Sequence, residues 1–339
     1  MLTNFIKNIK LIIRIIPYFT VRKMLNLLRL WLSYIFSVAG ILKYNKEMPF
    51  FLSVEVTNYC NLHCPECPVG IKKYNIKEQS GFNFELFKSL IDDLKPTLQH
   101  VILYFQGEPT LNKQLPELIK YAHRAKIYTS SSTNGQFLSN ENARLLVLSG
   151  LDKLIVSIDG STQETYEKYR VGAKLNKAIE GIRHINFWKN ELKSITPMVE
   201  IQFLVLKSNE HQLSEMRLLA KNLNADRLAF KTAQHYDFEN GSELMTSLKK
   251  YSRYKKNSEG KFEIKSNQSN RCWRLWSGGV VNVRGEVLPC CFDKGSEHSF
   301  GNINQQSFSA CWHNKKASDF REKILLNRKQ FEMCRNCTE

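Results

Sequence analysis

Three cysteines stand within eight residues in the run Cys60-Asn-Leu-His-Cys64-Pro-Glu-Cys67-Pro. A four-iron, four-sulfur cube normally takes four thiolates, one per iron. Three thiolates on one compact loop leave one iron without a protein ligand, and an open position is what a catalytic metal needs. The alternative is a tetrahedral zinc with His63 as fourth ligand. His63 directly precedes Cys64, and adjacent side chains tend to point apart.

Residues 68–271 contain no cysteine; then come Cys272, Cys290, Cys291, Cys311, Cys334 and Cys337. Two distant cysteines plus Cys334-x2-Cys337 also suit a zinc ribbon. The run from Asn282 to Cys290 reads as a hairpin with Arg284-Gly285 near its turn, delivering Cys290. Cys291 points away from Cys290 if both lie on a strand. Cys311 beside Trp312 reads as a buried structural thiol. Nine cysteines, an odd number, and no evident cleavable signal peptide argue against a disulfide framework and for metal in a reducing compartment.

These residues need elements to carry them. Short apolar runs predict strands over Leu52–Val56, His100–Phe105, Tyr128–Ser132, Lys153–Ile158, Met198–Leu206 and Asp226–Phe230. Helical faces lie between: Phe84, Phe87, Leu90, Ile91 and Leu94, then Leu115, Leu118, Ile119 and Ala122. Ser139 is an expected N-cap, with Gly150 past that helix's end. Further faces follow at Ala178, Ile179, Ile182 and Ile185, and at Leu213, Met216, Ala220 and Leu223. Six strands separated by helices make a partial (β/α)6 barrel of TIM type, an α/β fold. Its chemistry belongs at the C-terminal ends of the strands. Cys60, Gly107-Glu108-Pro109, Asn134-Gly135 and Asp159-Gly160 follow strands one to four in that order. The expected organisation is a basic amphipathic helical extension over 1–48, the barrel over 49–236, a polar connection over 237–270, and a cysteine module over 271–339.

Cys-x3-Cys-x2-Cys after a first strand resembles the radical S-adenosylmethionine superfamily, over roughly residues 50–235. The resemblance implies that Cys60, Cys64 and Cys67 hold a [4Fe–4S] cluster whose open iron chelates S-adenosylmethionine, and that electron transfer yields a 5′-deoxyadenosyl radical. Gly107-Glu108-Pro109 matches the family's strand-two motif for the methionine amino group in three of four positions, with Gln106 where a second glycine is common. Ser157, Asp159 and Asn134 match polar positions that reach the cofactor's ribose or carboxylate, although Asx-Gly is also a common turn. Glu66 departs from the pattern, because many members carry an aromatic residue there. The tail resembles the auxiliary-cluster module called SPASM, or its shortened form twitch. Cys272, Cys290, Cys334 and Cys337 then hold one auxiliary [4Fe–4S] cluster, and Gly301-Asn302-Ile303 and Cys311-Trp312 fall where that module has similar residues. By this resemblance the protein is an oxidoreductase or maturase. It oxidises an alcohol, peptide or lipid-linked substrate, the auxiliary cluster accepts an electron, and a flavodoxin or ferredoxin is the donor. Lys231 beyond strand six, and Glu200 or Gln202 on strand five, are candidate bases by position.

The net charge is +17, and residues 1–50 carry eight Lys/Arg against one Asp/Glu. The longest uncharged run there, Leu30 to Leu42, has thirteen residues, whereas a spanning helix needs about 20. Basic, aromatic and aliphatic residues together suit a helix lying on an anionic membrane surface through residues 1–43; the alternative is a helical hairpin packed on the protein itself. The expected location is cytoplasmic, or peripheral on the inner face of the membrane. A zinc-binding module that recognises RNA or protein is the competing function. The basic residues lack the aromatic interleaving of a nucleic-acid platform, so no nucleic acid is expected.

Overall fold

A computed structural model describes residues 16–41, 46–74 and 79–338. The expectations for residues 1–15 lie outside the described residues. Six parallel strands stand side by side in chain order: β1 (Phe51–Val54), β2 (His100–Ile102), β3 (Tyr128–Thr133), β4 (Lys153–Ser157), β5 (Met198–Val205) and β6 (Arg227–Thr232). Side chains alternate across a strand. Leu52, Val54, Val101, Val156, Ile201 and Phe203 all belong to the hydrophobic core. Ser53, Ser130, Ser157 and Gln202 take the other parity and face the barrel interior.

The crossover helices close the core from outside. They are α2 (Phe84–Leu94), α3 (Leu115–Arg124), α4 (Asn140–Leu148), α5 (Gln163–Tyr169), α6 (Leu175–Glu191) and α7 (Leu213–Asn222). The Asn83 side chain accepts from Leu86 N to start α2, and Ser139 caps α4 as its sequence position predicts. Gly150 follows α4 at φ +80°, a left-handed conformation that favours glycine.

Two features differ from the sequence expectation. The tail hairpin, β9 (Gly278–Val281) and β10 (Glu286–Leu288), joins the barrel sheet itself. β9 runs parallel to β1 with Phe51 opposite Gly278 and Val54 opposite Val281. With β11 (Gly301–Asn302) the sheet order is β11-β10-β9-β1-β2-β3-β4-β5-β6. The contact requires glycine: a Cβ on Gly278 would lie 2.3 Å from the Phe51 ring, and one on Gly279 2.8 Å from Trp312. The 237–270 segment is also not bare connection. It holds an antiparallel pair, β7 (Tyr254–Lys256) and β8 (Phe262–Ile264), anchored by buried Tyr254. The short helix α8 (Arg274–Ser277) precedes β9, and α9 (Phe308–His313), α10 (Lys315–Asn327) and α11 (Glu332–Arg335) complete the tail.

The N-terminal extension contains α1 (Val21–Val38), which lies across the end of the barrel where the strands begin. Lys23 Nζ donates to Lys126 O just before β3, and Asn26 Nδ2 donates to Met48 O just before β1. Tyr18, ahead of the helix, donates to Asp152 just before β4. Tyr34 packs edge-on against Trp273 and Trp276 just before β9. No helix among the described residues is long and apolar enough to cross a membrane.

Candidate active site and auxiliary cysteine site

The loop bearing Cys60, Cys64 and Cys67 leaves the C-terminal end of β1. Cys67 N donates to Cys64 O at 3.1 Å, a tight turn that keeps the last two thiols close. Gly70 packs under this turn, where a Cβ would lie 2.6 Å from Cys64 O. Leu62 N donates to Cys60 Sγ at 3.4 Å, and Asn134 Nδ2 approaches the same sulfur at 3.7 Å. Burial pushes the Cys60 thiol up to about 12, with Glu108, Cys64 and Cys67 adding to the rise. Burial also raises Cys64, and the Arg170 guanidinium opposes it. Thiols so placed stay protonated until a metal displaces the proton.

The strand-two motif is stitched to this loop. Gly107, at φ +71°, sits where a Cβ would be 2.4 Å from Thr57 O, and Glu108 N donates to Tyr59 O at 2.8 Å. Glu108 Oε1 accepts from Thr110 N, Thr110 Oγ1 and Thr133 Oγ1; Oε2 accepts from Asn134 N at 2.7 Å. This carboxylate therefore braces β2 against β3, while Pro109 opens a short 3-10 turn behind it. Gln106 has its own use: Nε2 donates to Lys294 O in the tail at 3.0 Å.

Asn134 faces the loop, donating to Asn61 Oδ1 at 2.9 Å. Ser157 is buried at the end of β4, opposite Gln202 on β5. Asp159 stands one step back from the loop. Its Oδ1 accepts from Leu204 N and its Oδ2 from Arg170 Nε, both at 2.6 Å, so Arg170 is the charged group that meets Cys64. Glu66 accepts from His235 Nδ1 at 2.7 Å and from Tyr236 N at 3.4 Å. The Asn336 side chain donates to His235 O at 2.6 Å and accepts from Tyr254 OH at 2.8 Å, and Tyr254 OH accepts from His235 N at 2.9 Å. Asn336 lies between Cys334 and Cys337, so these bonds join the first cysteine loop to the tail pair.

The three candidate bases separate. Glu200 corrects its sequence reading: it lies toward the N-terminal end of β5, paired with Lys153 Nζ at 3.1 Å and Arg227 Nη1 at 3.4 Å. It closes the floor of the barrel, far along the strand from the cysteine loop. Gln202 is half-buried in the interior, and Lys231 is exposed on β6 opposite Leu204.

The tail cysteines are the proposed auxiliary ligands, and their positions follow from the hairpin and the C-terminal turn. Cys272 precedes β9 and Cys290 follows β10, so both sit at the open end of the hairpin. Cys334 N–H and Cys337 N–H hold a turn in which Cys337 N donates to Cys334 O at 3.1 Å. Burial raises the Cys290 thiol, with Cys291 and then Cys272 and Cys334 adding to the rise, and burial pushes Cys334 up to about 11 against the pull of Arg328. Buried Arg328 donates from Nη2 to Cys337 Sγ at 2.9 Å, Phe292 N donates to Cys290 Sγ at 3.3 Å, and Gln268 Nε2 reaches the carbonyls of Cys334 and Cys337. Cys291, beside Cys290, packs against Val280, Leu288 and Phe105, and its sulfur accepts from Arg274 Nη1 at 3.4 Å. Cys311 is buried beneath Gly301.

Among the described residues no group of three His, Cys, Asp or Glu side chains closes on a single ion. A cube spreads its thiolates over separate irons, a wider arrangement than ligands closing on one ion. Three thiols with amide donors on the sulfur and a buried cation beside them suit a cluster with one open iron. Four thiols with Arg328 among them suit a fully ligated one. Sequence reasoning missed Arg170, His235, Asn336 and Arg328, because none lies within a spacing motif.

The Radical SAM superfamily model matches residues 54–186, and that of an iron–sulfur cluster-binding domain, SPASM, matches 272–338. Fe-coproporphyrin III synthase of Methanosarcina barkeri is 31% identical over 191 residues, spanning 56% of this chain and 45% of that relative. An S-adenosyl-L-methionine-dependent 2-deoxy-scyllo-inosamine dehydrogenase of Niallia circulans is 26% identical over 297 residues, spanning 84% of this chain and 91% of its own. The structure of Streptococcus suis SuiB bound to precursor peptide SuiA shares the fold, with a TM-score of 0.63 at 14% identity over 90% of this chain and 73% of that one. S-adenosylmethionine and iron–sulfur clusters are accordingly the cofactors of these two domains. The chain belongs to the radical S-adenosylmethionine superfamily and carries a SPASM-type module at its C-terminal end.

Proposed function

We propose that this enzyme oxidises an alcohol or a peptide side chain by two electrons. The observation that carries the reading is the second group, Cys272, Cys290, Cys334 and Cys337, built on a hairpin that shares the barrel's own sheet. When bound, the cofactors supply reductive cleavage of S-adenosylmethionine at the first site and a place for the substrate's electron at the second. The chain supplies position. Arg170 compensates negative charge at the Cys64 corner, and Asn134 orients the loop at Cys60. Gly107 lets the backbone of the strand-two motif lie against that loop.

Gln202, inside the barrel, orients the substrate. Lys231, at its rim, is the proposed group that takes the proton lost with the electron. The 2-deoxy-scyllo-inosamine dehydrogenase relative and the fold neighbour bound to a precursor peptide support these two substrate classes. A flavodoxin or ferredoxin is the proposed reductant. The proposed location is a reducing compartment at the inner face of the membrane, supported by the thiols and the basic, apolar N-terminal stretch.

The test replaces Cys334 and Cys337 together by Ala in anaerobically purified enzyme. Iron is expected to fall from about eight to about four per chain, and S-adenosylmethionine cleavage to persist while substrate oxidation is lost. Intact turnover in that variant contradicts the proposal.

A further inference from the structure

Helix α1 is amphipathic the wrong way round for a helix packed on its own protein. Its polar residues Lys23, Asn26, Ser33 and Ser37 are buried against the barrel, together with Leu30. Lys23 and Asn26 hydrogen-bond the chain beneath, and Ser37 Oγ donates to Ser33 O at 2.7 Å. The outward face is apolar: Val21, Met24, Leu28, Trp31, Leu32 and Ile35 are between 38% and 76% exposed. Eleven of the twenty exposed large apolar side chains among the described residues lie between Ile16 and Ile41. A contiguous patch of this kind marks an interaction surface.

We propose that this face inserts into an anionic lipid surface, and that it does so from the closed end of the barrel, with the cysteine loop directed away from the bilayer. The proposal deepens the peripheral location given above and is independent of the reaction. Charge selects the occupant. There is no Asp or Glu before Glu47, and exposed Arg22 and Arg29 flank the apolar stripe. Anionic headgroups pair with those arginines. A second copy of α1 would bring only further arginines to them. The stripe also fills the whole outward face of the helix, wider than the seam of a two-stranded coiled coil.

The orientation follows from the four anchors of the extension. They lie just before β1, β3, β4 and β9, whereas Cys60, Gly107, Asn134 and Asp159 follow the opposite ends of β1 to β4. A strand of about five residues at ~3.3 Å each, above a helix ~10 Å across, sets the cluster loop about 25 Å from the lipid-facing side chains. The reacting carbon therefore arrives from the aqueous side, carried by a water-soluble molecule or held well clear of the bilayer.

The experiment is anaerobic flotation of the full-length holoenzyme with phosphatidylglycerol–phosphatidylcholine vesicles, beside Leu28→Glu/Leu32→Glu/Ile35→Glu, whose positions are exposed. The wild type is expected to float and to lose binding about tenfold on pure phosphatidylcholine; the triple variant is expected to stay at the bottom. Brominated acyl chains are expected to quench the wild type and not Trp31→Phe. Vesicle-bound enzyme is expected to bind S-adenosylmethionine within about twofold of the free enzyme. Wild type that fails to float overturns the peripheral location itself. Flotation that the triple variant retains overturns only the assigned face. A lipid-free dimer that the triple variant abolishes makes a second copy the occupant instead, and loss of S-adenosylmethionine binding on vesicles overturns the orientation.

Discussion

Glu66 stands where many relatives of its superfamily carry an aromatic residue, and the structure gives it mechanical work. Its carboxylate takes His235, and through Asn336 the bond network reaches the tail pair Cys334 and Cys337. No local spacing announces a partner 169 positions away, so the sequence left Glu66 unexplained. Asp159 is a related case. Its place after strand four was legible, yet its contact is Arg170 rather than open space, because a buried carboxylate needs a cation and donors. Arg170→Leu is expected to cost about 3–5 kcal/mol of stability by leaving Asp159 buried and unpaired. Adding Asp159→Asn is expected to recover part of that loss in urea midpoints. A single variant as stable as the wild type contradicts the pairing.

Among the elements, the β1–β9 junction was the least legible. The sequence divided the chain at the 237–270 segment, and a parallel pairing between residues over two hundred positions apart leaves no periodic trace. Gly278-Gly279 is its local sign, two residues without side chains where Phe51 and Trp312 press in. The barrel strands were read well because buried parallel strands are short apolar runs with turn residues behind them. The helix faces were read well for the same reason. Glu55, one residue past β1, accepts from Val283 N of the hairpin turn at 3.0 Å. Burial pushes its carboxyl up to about 7, against the opposing pull of Val283 N, Lys294 and Arg284. Between about 4.5, the ordinary carboxyl value, and about 7 the folded chain keeps a proton that the unfolded chain has released. Stability contributed at this junction therefore falls as pH rises through that window. Glu55→Gln is expected to flatten the change in apparent urea midpoint between pH 5 and pH 8. An unchanged slope excludes Glu55 as its source.

At the scale of the whole molecule, the Cys60 loop leaves the C-terminal end of β1, whereas α1 covers the end where the strands begin, with its Tyr34 close to Cys272. Composition suits the N-terminal stretch either to a membrane surface or to packing on the protein itself. The side of the barrel that α1 occupies separates lipid from substrate, since the face proposed to meet lipid is not the face proposed to meet substrate. Composition carries the presence of an apolar stripe but not the direction in which the folded chain turns it. The central claim is that Cys60, Cys64 and Cys67 carry the cluster that opens S-adenosylmethionine, apart from the tail cluster. The most direct measurement is reductive cleavage of S-adenosylmethionine by anaerobically purified Cys60→Ala/Cys64→Ala/Cys67→Ala enzyme, with iron counted on the same sample. About four irons per chain and no 5′-deoxyadenosine are the predicted result; 5′-deoxyadenosine formed at the wild-type rate, or zinc in place of iron in the wild type, would contradict it.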